Sequence, residues 1–146
     1  MSSVTLAQAA TIVDAALKKG CDTSCAPLTV AVLDAGGHLV CFKREDKSGI
    51  LRFDIAYGKA WGALGMGFGS RELGNRAAKA PMFWTALAAA SHGRVVPAAG
   101  GVLIRNAAGD LIGAVGISGD VSDKDEVCAI AGIEAANLKA DPGAAA

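Results

Sequence analysis

Two histidines, His38 and His92, are the side chains of this chain best suited to metal ligation or to proton transfer near neutral pH. His92 follows the apolar segment MFWTALAAAS and precedes Gly93 and Arg94, so it is the stronger candidate. Capping of a helix C-terminus is its structural alternative. His38 opens a strand directly after a tight turn and reads as an exposed edge residue. Around them lies a basic stretch. Between Lys43 and Arg105 ten Lys/Arg face four Asp/Glu, a local balance of +6, whereas from Asp110 onward seven acids face two bases, a balance of −5. Within the basic stretch Arg44, Arg52 and Lys59 could hold a carboxylate, arginine offering a two-pronged fork. Glu45, Asp46 or His92 could serve as general acid or base if burial brings a pKa near neutrality. Arg71 joins them as a loop residue of the SRELGNR connector. Tyr57 and Met66 are further donors, although core packing explains each more simply. A salt bridge from Lys59 to Asp54 or Glu45 is the plain competing account of that lysine.

Composition limits the classes. The 146 residues carry zero formal net charge and only seven aromatics, and no basic run or recognition motif occurs, which argues against a nucleic-acid partner. No apolar run approaches the ~20 residues of a bilayer span. The N-terminus lacks a basic leader and already holds Asp14, so a cytoplasmic location is expected. Hydrophobic residues reach 52% with much of the excess in Ala and Gly, and such small side chains allow close packing between subunits; a homo-oligomer is expected. Cys21, Cys25, Cys41 and Cys128 are scattered, without zinc-finger spacing, and are read as reduced thiols, Cys41 and Cys128 as small core residues. A metal or redox role for Cys21 and Cys25 is the lesser alternative. GISGD lacks the Lys-Ser/Thr of a phosphate loop, and no GxSxG elbow supports a serine nucleophile. Asp120, Asp123, Asp125 and Glu126 with Ser122 read as helix-start chemistry rather than a cation site.

The elements that must position these residues follow from periodicity. Thr5 caps a first helix whose Leu6, Ala9, Ile12, Val13, Ala16 and Leu17 share a face, ending at Gly20. LTVAVLD and HLVCFKR read as a hairpin across Ala35-Gly36-Gly37. A long helix runs from Ile50 to about Met66, and its Gly58 and Gly62, each costing up to about 1 kcal/mol, imply something packed very close: another subunit or a ligand. SRELGNRAAKA is a polar connector with at most one helical turn. Pro81 begins a short helix, and Val95-Val96-Pro97 is a candidate edge strand. Within Gly100–Glu126 two apolar runs flank AAGD as a second hairpin, and a last helix starts after Ser122 and runs to about Leu138. One domain over residues 1–146 is expected, with a tail frayed from about 140. Hairpins on both sides of the helices imply an antiparallel sheet with helices packed on it.

Three blocks, VAVLDAGGHLVCFKRED, DIAYGKAWGAL and GGVLIRNAAGDLIGAVGISGDVSDKDE, resemble the GlcG/HbpS family over about residues 5–138. The resemblance implies a profilin-like α+β fold, a five-stranded antiparallel sheet with helices on both faces, assembled as dimers up to octamers. It implies a small-ligand-binding protein that binds or degrades haem, and a role in a catabolic pathway. Where the family pattern reads RMDGA, this chain has Arg44-Glu45-Asp46-Lys47-Ser48-Gly49. Related domains can use a histidine on the N-terminal helix for haem; here Lys18 and Lys19 stand at the end of that helix, which leaves His92 as the axial candidate beside an apolar slot. The alternative is a cofactor-independent lyase, isomerase or hydrolase acting on a small anionic organic substrate through the Arg/Lys/acid set and His92.

Overall fold

The computed structural model describes residues 2–145. Helix α1 (Leu6–Asp22) begins with a reciprocal cap: Thr5 Oγ1 accepts the Gln8 N–H, and Gln8 Oε1 accepts the Thr5 N–H. This satisfies two of the donors that a helix start otherwise leaves orphaned. The helix runs past Gly20, which is buried against Leu28 instead of ending it. Strands β1 (Thr29–Asp34) and β2 (Leu39–Arg44) form the expected hairpin. After it come α2 (Arg52–Met66), α3 (Ser70–Lys79) and α4 (Pro81–Ala90). The second hairpin, β3 (Gly101–Arg105) with β4 (Leu111–Ser118), leads into α5 (Ser122–Ala135) and a short β5 (Lys139–Asp141).

All five strands form one antiparallel sheet in the order β2-β1-β4-β3-β5. Alternation along the strands divides the core into two layers. Val30, Val32, Val102, Ile104, Val115 and Ile117 meet Ile12, Val13, Ala16, Ala129 and Ile133 of α1 and α5 on one face. Leu33, Leu103 and Ala114 meet Ala60 and Ala63 of α2 on the other. Helix α2 lies against the sheet at backbone distance. A Cβ on Gly116 would fall on the Ala56 carbonyl and 3.1 Å from the Ala60 Cβ, so only glycine fits there.

Four expectations are corrected. SRELGNRAAKA is a three-turn helix, held by buried Leu73 and Ser70 and by the i,i+4 pair of Glu72 and Arg76. Residues 95–97 pair with no strand. Instead Val95 and Val96 are what packs on α2: Cβ atoms added at Gly58 and Gly62 would lie 2.6 Å from Val96 Cγ2 and 2.9 Å from Val95 Cγ1. The close neighbour of that glycine face is thus the chain's own 94–96 segment. The tail does not fray from 140, because β5 pairs with β3, Arg105 binds Asp141 at 3.0 Å, and the Ala144 N–H donates to Glu72. Finally, Ser122 makes no cap; it is the first residue of α5, whose N-cap is Val121.

Candidate functional site

Helix α4 is ten residues without a charge, and only Trp84 of it is buried. Pro81 starts it, since a proline at the first turn sacrifices no hydrogen bond. At its far end the Gly93 N–H donates to the Ala88 carbonyl at 2.7 Å and the His92 N–H to the Ala89 carbonyl at 3.1 Å. That is a Schellman closure, and His92 occupies its left-handed position with φ 55°. The expected C-cap role is therefore present in the backbone of His92, and its side chain is exposed.

Two apolar clefts flank α4 and share Leu87 and Val95. One, of about 400 Å³, runs along Ala77, Pro81, Trp84 and Pro97. The other, of about 190 Å³, is walled by Trp61, Met66, Ala90 and Ser91, the residue just before His92. Arg94 lies over the Trp61 ring, 3.9 Å from its centre, and donates through Nε to the Ser91 carbonyl. The Met66 thioether and the Trp61 ring thus line one apolar slot, with the Arg94 guanidinium stacked on that ring and His92 following the lining residue Ser91 in sequence.

A third concavity, about 450 Å³ and more polar, is lined by Cys21, Cys25, Pro27, Arg44, Glu45 and Asp46. Glu45 is engaged there: its Oε1 accepts the Leu28 N–H at 2.7 Å, fixing the strand entry. Arg44 donates to the Ser48 carbonyl, and Ser48 bonds Thr29 Oγ1 at 2.7 Å in the core. Arg52 reaches Ser118 Oγ at 3.1 Å. So the expected acid–base set is divided: Glu45 and Asp46 line the polar groove, and His92 stands exposed at the C-terminal end of α4. No hydrogen bond or ion pair joins His92 to either acid among the described residues.

The remaining expected ligand contacts have partners within the chain. Lys59 is 3% exposed; its Nζ donates to Asp125 Oδ2 at 3.1 Å and to the Ile117 carbonyl at 2.9 Å. Its partner is thus Asp125, not Asp54 or Glu45. Burial pushes the Lys59 ammonium below its ordinary pKa and the Asp125 carboxyl above its own, each against the pull of the other. Arg71 stands on helix α3, not on a loop, and clasps Glu126 at 2.9 Å and Asp123 at 2.6 Å. Bonds to Glu126 and Asp123 hold its guanidinium charged. Tyr57 stacks near Phe53 and donates to the Gly37 carbonyl at 3.4 Å. His38 is the exposed edge residue expected, pairing with Asp34 at 3.1 Å.

Among the described residues no cluster of His, Cys, Asp or Glu could hold a metal ion by itself, and no helix is long and apolar enough to cross a membrane. Sequence reasoning did not pick out Trp61, Arg94 or the Leu87–Val95 wall. The apolarity of MFWTALAAA was a visible signal for the wall, but the cation–aromatic stack joins residues 33 positions apart.

The sheet order and its helical layers define a profilin-like α+β domain with an apolar cleft beside a surface helix. The model of the haem-degrading, HbpS-like protein family matches residues 4–134, and the chain belongs to that family. Among solved structures it is similar to the PduOC–haem complex at 26% identity, covering 93% of this chain and 96% of that one with a TM-score of 0.83. It is also similar to Klebsiella pneumoniae protein ORFY (25% identity, 94% and 92% coverage, TM-score 0.84). A double mutant of Streptomyces reticuli HbpS shows 27% identity, 92% and 87% coverage and a TM-score of 0.78. No curated protein sequence matches the chain significantly.

Proposed function

We propose that this chain is a haem-binding protein whose macrocycle site is the apolar cleft beside α4, where His92 and Met66 are the residues that would hold the iron. The observation that carries this reading is the coincidence of donor set and slot. Haem needs an imidazole or thioether next to a hydrophobic wall. Met66 and Ser91, the residue before His92, line a cleft together with Trp61, Leu87 and Val95. Family membership and the haem complex of a similar structure support it. Arg94, stacked on the Trp61 ring, would meet a propionate in this reading. Haem, when bound, would supply the redox chemistry of its iron. The chain's part is to exclude water with the Trp61–Leu87–Val95 wall and to present the donor from a closed helix end.

The reading includes self-association. Met82 and Phe83 are 88% and 56% exposed on a helix without charge, an apolar surface that a second copy of the chain would cover.

Haem titration followed at the Soret band tests the assignment, with His92→Gly as the variant. Glycine is at ease at the left-handed position where His92 sits, so the fold is retained while the donor is lost. A saturable, red-shifted band in the wild type that is lost or displaced in His92→Gly is expected. A wild type with no saturable band, or a variant with an unchanged spectrum and affinity, overturns it.

A further inference from the structure

The polar groove has two thiols in its wall and a third behind one of them. Cys25, half-buried in the loop between α1 and β1, lines the groove with Cys21, Pro27 and Arg44. Cys128, on α5 and fully buried, has its Sγ 3.9 Å from that of Cys25, across 103 residues of sequence. We propose that Cys25 and Cys128 form a reversible disulfide when the protein meets a hydroperoxide, a redox modification site that ties the α1–β1 loop to α5.

Both thiols are free, and a disulfide needs the sulfurs to close from this separation to about 2.05 Å. The loop is already held in place for that, because the Ala26 N–H donates to Asp120 Oδ2 at 2.7 Å just before α5. The two sulfurs differ in access. Oxidant enters by the groove and reaches Cys25, whereas Cys128 has no exposed surface. Burial, and then the neighbouring Cys25, push the Cys128 thiol up to about 12, so it remains protonated. Thr23 Oγ1, which donates to the Lys19 carbonyl at 2.8 Å, lies 3.5 Å from Cys25 Sγ.

The chemistry balances in two steps. Cys25 sulfur attacks one peroxide oxygen; the O–O bond breaks, Cys25 becomes a sulfenic acid, and the other oxygen leaves as water or an alcohol carrying the thiol proton. Cys128 sulfur then attacks the sulfenic sulfur. The S–S bond forms, the S–O bond breaks, and the hydroxyl departs with the Cys128 proton as water. The two thiols give up two electrons and the peroxide takes them. Cys21, the other thiol of the groove, is exposed and aimed elsewhere, at Glu45 Oε2 3.9 Å away.

The test treats the reduced full chain with hydrogen peroxide, then alkylates it in denaturant and maps the peptides. Alkylation of the four cysteines should drop to two, with one cross-linked peptide joining Cys25 to Cys128 within a single chain, and reductant should restore all four. Cys21→Ser should keep the bridge, and Cys25→Ser, a mild change at a half-buried position, should abolish it. A Cys21–Cys25 cross-link, a disulfide only between chains, or Cys25 overoxidised while Cys128 stays alkylatable would each overturn the proposal.

Discussion

Lys59→Met should cost about 3–5 kcal/mol of stability, the range for removing one partner of a buried ion pair. The pair is buried enough for the upper part of that range: Lys59 and Asp125 are 3% and 1% exposed, so water cannot solvate the carboxylate left behind. On a domain of this size that is a fall in thermal midpoint on the order of 10 °C. Asp125→Leu should cost at least as much, since Asp125 Oδ1 also accepts the Asp120 N–H at 3.0 Å. The double variant should cost less than either single one. It leaves no buried charge, and its residual loss is the orphaned Asp120 N–H, about 1–3 kcal/mol. The cost also depends on pH. Burial already raises the Asp125 pKa, and without Lys59 it rises further. A group whose folded pKa is raised favours the fold at low pH and loses that contribution as pH climbs through the folded value. Lys59→Met should therefore be least destabilised near the ordinary carboxylate range and most destabilised at neutral pH and above. Denaturant melts of the four proteins at two pH values measure all of this. Additive single costs, or a Lys59→Met protein of wild-type stability that has lost ligand binding, would refute the structural role given to Lys59.

Gly116→Ala should destabilise by about 3 kcal/mol, because its Cβ would meet the Ala56 carbonyl with α2 unable to retreat. The matched control Gly49→Ala, where the nearest atom is 3.9 Å away, should stay within about 0.5 kcal/mol in the same denaturant melt. Acid should loosen the loop carrying Cys25: the Ala26 and Val121 N–H groups hold the Asp120 carboxyl below its ordinary value of 3.8. Stability from that bond is full above the ordinary value and is lost as pH falls through the depressed one, so thermal midpoints of Asp120→Asn and wild type should converge in acid. Met82→Glu and Phe83→Glu, on exposed sites, should leave the melt unchanged and shift sedimentation toward the monomer; an unaltered distribution would remove α4 from the interface.

What could be read from the sequence is what depends on neighbours along the chain. The Thr5–Gln8 cap lies within four residues, and the alternation of β1, β3 and β4 is a property of each strand alone. Helix α3 was hidden because SRELGNRAAK offers no apolar stripe beyond Leu73; its order comes from Ser70, which accepts the Gly101 N–H at 2.7 Å across 31 residues, and from the Arg71 clasp on α5. Strand β5 is three residues with no strand pattern, stabilised by pairing with β3. At the candidate site, residue types were legible but partners were not. Lys59 and Asp125 are 66 residues apart, and Cys25 and Cys128 are 103 apart. Each pair exists only because α2, α5 and the α1–β1 loop converge around the sheet.

That convergence also accounts for the uneven charge of the chain. The basic middle and the acidic C-terminal part neutralise each other inside one fold: Lys59 binds Asp125, Arg71 binds Asp123 and Glu126, and Arg105 binds Asp141. An anionic ligand therefore cannot draw on the whole local excess of positive charge. Among the described residues Arg52 reaches only Ser118 Oγ, and Arg44 and Arg94 have no carboxylate partner either; of these two, one donates to the Ser48 carbonyl and the other rests on Trp61. Each stands by a concavity, Arg44 in the polar groove and Arg94 beside the apolar cleft. A ligand that is mostly apolar with an anionic edge matches the Arg94 cleft, and a small, fully polar anion would have to use the Arg44 groove. Haem, a flat hydrophobic ring with two carboxylates, is a ligand of the first kind, which is why the proposed site is the cleft beside Arg94 and not the Arg44 groove.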